Sequence, residues 1–194
     1  SPRQRDLTPF VACGKPLGNR FNWDKCTEML HKNLKFIDRF LHLPEAQAHC
    51  DIPCKIYDPS TALIATLSVI RLIDIINETR AEGDSSSADY ENTIARCVQR
   101  KEEESEKLKQ EVRIIWGDYF KALQFEAHPE IHDLTHSIMM AASACKQKVN
   151  RDDGEKLLEL VNQFAEIFWA TKDVKSARKV APYPPNLPVV YPEL

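Results

Sequence analysis

His49-Cys50-Asp51-Ile52-Pro53-Cys54-Lys55-Ile56-Tyr57-Asp58-Pro59 brings two thiols, an imidazole and two prolines into eleven residues. The prolines disfavour a regular helix or a central strand, so the segment reads as a compact hook. If the chain is cut between Ala48 and His49, His49 gains a free α-amine. That amine, the Cys50 amide nitrogen and the Cys50 thiolate then form fused chelate rings, and the Cys54 thiolate completes a planar set of four donors. Two nitrogens and two soft sulfurs in a plane suit nickel(II) or copper(II), whereas zinc prefers a tetrahedron. The His49 imidazole is placed to bind axially. Thiolate and deprotonated amide donors stabilise a trivalent metal, so the donor set suits one-electron redox chemistry, and metal binding would hold both cysteines as thiolates.

The hook resembles that of the nickel superoxide dismutases, whose mature chain begins at the histidine and reads His-Cys-x-x-Pro-Cys-Gly-x-Tyr. Three later stretches are similar to that family's signatures and come in the same order. They are Trp116-Gly117-Asp118-Tyr119-Phe120-Lys121, Phe125-Glu126-x-His128-Pro129-Glu130-Ile131-His132 and Ile167-Phe168-Trp169-x-Thr171-Lys172. The resemblance spans roughly residues 49–172. It implies an all-α subunit, an antiparallel up-down four-helix bundle with an N-terminal metal-binding hook, assembled as a homohexamer. It also implies one nickel ion per subunit and disproportionation of superoxide, with His49, Cys50 and Cys54 as metal ligands. By the same resemblance Tyr57 closes the metal pocket, Asp51 shapes the hook, and Tyr119 and Lys121 lie near the site, where a cation would attract the anionic substrate. A nickel or copper binding and storage protein without turnover is the alternative from another class.

Two positions depart from the family pattern. Lys55 stands where the family hook usually has glycine, and lysine is strained there if the position needs a positive φ. The glutamate and arginine that hold the axial histidine in some members correspond to Ala65 and about Glu104, so the support of His49 must differ.

The remaining chain divides around this hook. Residues 1–48 form a leader, removed after Ala48 by a processing peptidase because the hook needs a free amine; within it, residues 1–28 read as disordered or untranslated, with Met29 as an alternative start. Residues 29–48 are basic and amphipathic, but charged residues interrupt any secretory apolar run; an organellar transit peptide is the competing reading of a chain otherwise expected in the cytoplasm. Residues 49–58 are the hook, 59–172 the bundle and 173–194 a proline-rich tail, extended and apolar enough to strap a neighbouring subunit.

Helical content follows from having only five glycines and from abundant Ala, Leu, Glu and Lys. Asp58-Pro59 marks the start of a helix to about Arg80, with Ala62, Ala65, Val69, Ile73 and Ile76 inward. Asp89 is the expected N-cap of a second helix, whose inward seam runs Ile94, Val98, Lys101, Ser105, Leu108, Val112, Ile115 and Tyr119, polar in its middle. A turn over residues 122–127 leads to a third helix turning Ile131, Leu134, Ile138, Ala142 and Cys145 inward. After a loop at 150–154, the fourth helix, about 153–171, packs Leu157, Leu160, Val161, Phe164, Ile167 and Phe168. His128, His132 and His136, four apart, can mark a second metal site, but a polar face or interface is the simpler reading.

Charge bounds the partners. Eight of the 26 Lys and Arg and five of the 29 Asp and Glu precede His49, leaving 18 against 24, or −6, in the processed chain. That balance gives no general affinity for nucleic acid. No window holds eighteen consecutive apolar residues, so no membrane span is expected. Six cysteines spread through a helical chain with an ample core fit a reducing compartment better than a disulfide framework.

Overall fold

A computed structural model describes residues 55–194. They are mostly helical: α1 (Ser60–Glu82), α2 (Ala88–Ile114), a π-helical turn (Ile115–Tyr119), α3 (Ala122–Ala127), α4 (Ile131–Gln147) and α5 (Arg151–Ala170), followed by strands β1 (Ser176–Val180) and β2 (Pro188–Pro192). The four long helices close a ring: α1 packs on α2 and α5, and α4 packs on α2 and α5.

The Asp58 carboxylate opens α1 by accepting from the Ser60 amide at 2.7 Å, as a capping residue does. All five expected inward residues of α1 are fully buried, with Leu63, Leu67 and Ile70 beside them. Thr66 sits within this apolar face because its hydroxyl donates to the Ala62 carbonyl at 2.8 Å. Among the described residues α1 alone is long and apolar enough to cross a membrane, and half of its apolar window is buried by its neighbours, as in a core helix.

The N-cap of α2 is Ser87, whose hydroxyl accepts from the Tyr90 amide at 3.1 Å; Asp89, the expected cap, lies in the first turn, where its charge still favours the helix dipole. The inward seam also shifts. Val98 is 37% exposed, and Cys97 and Glu104 turn inward instead. Steps alternating three and four average 3.5 residues, and a straight helix drifts away from that register toward its N-terminal half. The polar middle is real. Lys101 is 1% exposed and its ammonium donates to the carbonyls of Cys145 and Lys146 at the end of α4, the latter at 2.6 Å. A cation thereby satisfies two carbonyls that the helix terminus leaves unpaired.

The expected turn at 122–127 is the short helix α3; the Gln124 side chain reaches back to accept from the Lys121 amide at 3.1 Å. In α4 all five expected core positions are buried. The expected loop at 150–154 is already helix from Arg151, because Asn150 caps it by accepting from the Asp152 amide at 3.0 Å. Gly154 is then an interior helical residue against α1, where a Cβ would sit 2.8 Å from Ile70 Cγ1. Glycine here permits two helices to approach closely. It does not mark a break.

The tail departs most from expectation. It folds back as an antiparallel hairpin, with Ser176 opposite Pro192 and Val180 opposite Pro188. Pro188 and Pro192 are the first and last residues of β2, where a missing amide proton is tolerated. Within the subunit β2 packs against α5 and α1, burying Val189 and Val190. Of the apolar residues expected to strap a neighbouring subunit, Val189 and Val190 are thus used within this one, whereas Tyr183 stays 42% exposed.

Candidate metal centre and its approach

The expected ligands His49, Cys50 and Cys54, together with Asp51 and the leader, lie outside the described residues. The described residues begin at Lys55, where the hook runs into the bundle. Lys55 has φ 58°, the left-handed region in which a side chain costs about 1–2 kcal/mol and glycine is at ease. The position takes the positive φ that glycine would adopt easily, and this chain places lysine there.

Tyr57, three residues past Cys54, is half-buried, its ring 5.7 Å from that of Tyr119 and inclined at 52°. Tyr119 is the last residue of the π-helical turn. The extra residue in such a turn re-aims the side chains that follow it. Its ring packs on Phe168 at 4.8 Å and on Phe120 at 5.4 Å. The Tyr119 hydroxyl lies 2.8 Å from Thr171 Oγ1, and Thr171 gives its own proton to the Phe168 carbonyl at 2.7 Å. A hydroxyl has one proton to donate, so Tyr119 is the donor in the pair. Lys172 Nζ stands 4.9 Å above the Tyr119 ring and 5.1 Å from that of Phe168, a cation–π arrangement that places a positive charge beside the tyrosine pair.

Lys121, the cation expected near the site, is exposed at the head of α3 with its ammonium 3.5 Å from the Gly117 carbonyl. The charge held over Tyr119 is that of Lys172. Thr171 and Lys172 entered the sequence reading only as part of a similar stretch, without roles. Their signal was the Thr-Lys pair just past the apolar run of the last helix.

The three histidines do not converge. His128 follows α3, outside the helix that holds the other two, and lies 3.3 Å from Glu130. His132 Nδ1 accepts from Trp116 Nε1 at 3.1 Å, and its ring stacks on Phe125 at 4.5 Å, a packing role. His136 is exposed on α4. Among the described residues no group of three or more His, Cys, Asp or Glu is placed to hold a metal. Cys97 and Cys145 are buried free thiols; burial, then the nearby Asp153 carboxylate, pushes Cys145 up to about 11, so it stays protonated and inert. Ala65 is fully buried and Glu104 is held by Arg100 at 2.7 Å.

Residues 44–172 match the family described as nickel-containing superoxide dismutase. The chain belongs to the nickel-containing superoxide dismutase family. It is 36% identical over 128 residues to the nickel superoxide dismutase of Streptomyces seoulensis, covering 66% of this chain and 91% of that protein. Against the enzyme of Streptomyces coelicolor the figures are 37% over 125 residues, 64% and 88%. The fold agrees with a solved native nickel superoxide dismutase at a TM-score of 0.56 and 34% identity, covering 64% of this chain and 99% of the other. The stretch matched to the nickel superoxide dismutases includes the hook and the Tyr57–Tyr119–Lys172 cluster, and it ends before the hairpin.

Proposed function

We propose that the chain, once it begins at His49, is a nickel-dependent superoxide dismutase: two superoxide ions and two protons become dioxygen and hydrogen peroxide. The observation that carries this reading is a family match over residues 44–172, from before the hook to the end of the last long helix. His49 would hold nickel through its amine and imidazole, Cys50 through its amide nitrogen and thiolate, and Cys54 through its thiolate, one nickel ion per subunit. Two thiolates and anionic nitrogen are the donors that bring a Ni(II)/Ni(III) couple within reach, so the residues fit the metal. When bound, nickel supplies the one-electron oxidation of one superoxide and the reduction of the next.

The chain's own residues do the remainder. Asp51 shapes the hook, and the left-handed turn at Lys55 sets its exit toward Tyr57. Tyr57, backed by the Tyr119 ring, narrows access to small molecules, and its Oη is the nearest described hydroxyl in sequence for handing on a proton. Tyr119 is fixed through its hydrogen bond to Thr171, so the pair keeps one orientation. Lys172 beside this pair, together with the exposed Lys55 and Lys121, supplies the local positive charge that draws an anion to a chain of net negative charge.

In the same reading, the four long helices form an antiparallel up-down bundle carrying an N-terminal hook. The subunits assemble as a homohexamer in the cytoplasm, and a peptidase cleaves Ala48-His49. The experiment is direct. Protein beginning at His49 is loaded with nickel, its occupancy measured, and superoxide decay followed by stopped flow. Rapid decay that disappears in the unprocessed chain is expected; full occupancy without dismutation would reject the enzyme reading in favour of metal storage.

A further inference from the structure

Residues 173–194 lie beyond the stretch matched to the family, yet they are built tightly into the subunit. Asn162, 2% exposed in the middle of α5, uses both ends of its amide on the backbone of β2. Its Nδ2 donates to the Pro188 carbonyl at 3.0 Å and its Oδ1 accepts from the Val190 amide at 3.0 Å. A buried amide with both partners on one strand is satisfied only when that strand is seated. On the exposed flank the Arg178 guanidinium of β1 forks onto Glu159 at 2.6 and 3.0 Å and onto Glu166 at 2.6 and 3.2 Å, a planar bidentate pairing that fixes direction as well as distance. The Glu193 amide then closes on the Lys175 carbonyl at 2.7 Å.

The other side of the hairpin faces the beginning of α1. Tyr191 and Pro192 line a small, largely apolar cavity of about 100 Å³ together with Asp58, Ser60, Leu63 and Trp169. One element thus meets two places at once. Asp58 and Ser60 are where the hook enters the bundle, and Trp169 stands in the last turn of α5, just ahead of Thr171 and Lys172.

From this juxtaposition we infer that the C-terminal hairpin is a positioning strap for the base of the hook, residues 55–58: it clamps the start of α1 against α5 and so steadies Tyr57 on Tyr119. The inference rests on the dismutase reading only for what the hook does, not for the clamp itself. Loss of the clamp should loosen the hook base more than the α2–α4 side of the bundle. That pattern separates positioning from general stability, because local openings and global unfolding expose different amides.

The test is hydrogen exchange followed by mass spectrometry on the full chain without nickel, comparing the parent with Asn162→Ala and Arg178→Ala. In Asn162→Ala, amides of residues 56–64 are expected to accelerate about tenfold more than those of α2 and α4, whose common change reports the loss of global stability. Arg178→Ala leaves the buried seat intact and should show the same pattern more weakly, which serves if Asn162→Ala does not fold. Acceleration confined to residues 176–192, or spread evenly over all helices, overturns the inference. Exchange needs no metal, so a chain that never dismutates leaves this result standing. Where the dismutase reading also holds, Arg178→Ala beginning at His49 should bind nickel several-fold more weakly; unchanged affinity would overturn the link from strap to hook.

Discussion

Gly154→Ala sets two physical effects against each other at one atom. An alanine inside a helix is favoured over glycine by about 1 kcal/mol, so helix propensity alone makes the variant more stable. The added Cβ, however, would meet Ile70 Cγ1 at 2.8 Å, against an ordinary carbon–carbon contact of about 3.5–4.0 Å. One side must move by roughly 0.7 Å or more to restore contact. Ile70 is fully buried and its neighbours are close-packed, so overpacking of this kind costs about 1–3 kcal/mol. The second effect wins. The expected net loss is about 1 kcal/mol, and for a chain of this size that lowers Tm by about 2–4 °C. Calorimetry or thermal circular dichroism on the full chain measures it. The Ile70→Ala background makes the reasoning sharper. That change removes Cγ1 and costs about 2–5 kcal/mol by itself, but it leaves Ile70 Cβ at 3.7 Å, an ordinary contact. In that background Gly154→Ala should turn stabilising by about 1 kcal/mol, so the sign of one substitution reverses with its neighbour. A Tm that rises in the single variant, or a double variant with no change of sign, would refute the close approach of α1 and α5.

Three further outcomes follow from particular contacts. Lys55→Gly removes about 1–2 kcal/mol of left-handed strain and returns about 0.4–1 kcal/mol to the unfolded chain, so nickel titration of protein beginning at His49 should show affinity improved by a few-fold; weaker binding would mean that the lysine side chain itself supports the hook. Lys172→Met should lower kcat/KM for superoxide by about threefold to tenfold and flatten its dependence on ionic strength, the signature of lost steering, and an unaltered salt profile would clear Lys172 of that role. The Glu159 carboxylate is held below its ordinary 4.5 by Arg178 first and by Gln163 second. Its folded value being depressed, the contribution is complete above the unfolded value and is lost as pH falls through the folded one. The stability gap between the parent and Arg178→Ala, read from denaturant melts, should therefore be flat above about pH 5 and close below it; a gap that widens in acid would contradict the pairing.

Much of the core was legible because burial imposes a period that composition carries. The five inward residues expected in each of α1 and α4 are all buried, and spacings of three and four were enough to find them. The hook was legible for a different reason: few chemistries require His-Cys-x-x-x-Cys followed by a tyrosine. Reading failed where a local signal had two physical meanings. Gly154 reads as a loop residue, since nothing in one sequence shows that another helix passes 2.8 Å from its missing Cβ. Prolines at 182, 184, 185, 188 and 192 read as an extended tail, since the buried amide that seats the hairpin belongs to Asn162, 26 residues from Pro188.

The sequence by itself determined what this chain can bind and which residue types face inward, because ligand chemistry and the helical period are properties of side chains and their spacing. Tertiary structure alone decided which cation stands over Tyr119 and that the tail is a hairpin. It also decided that α5 begins before Gly154. Each of these depends on atoms distant in sequence, whose meeting is fixed by packing and by the need to satisfy buried polar groups.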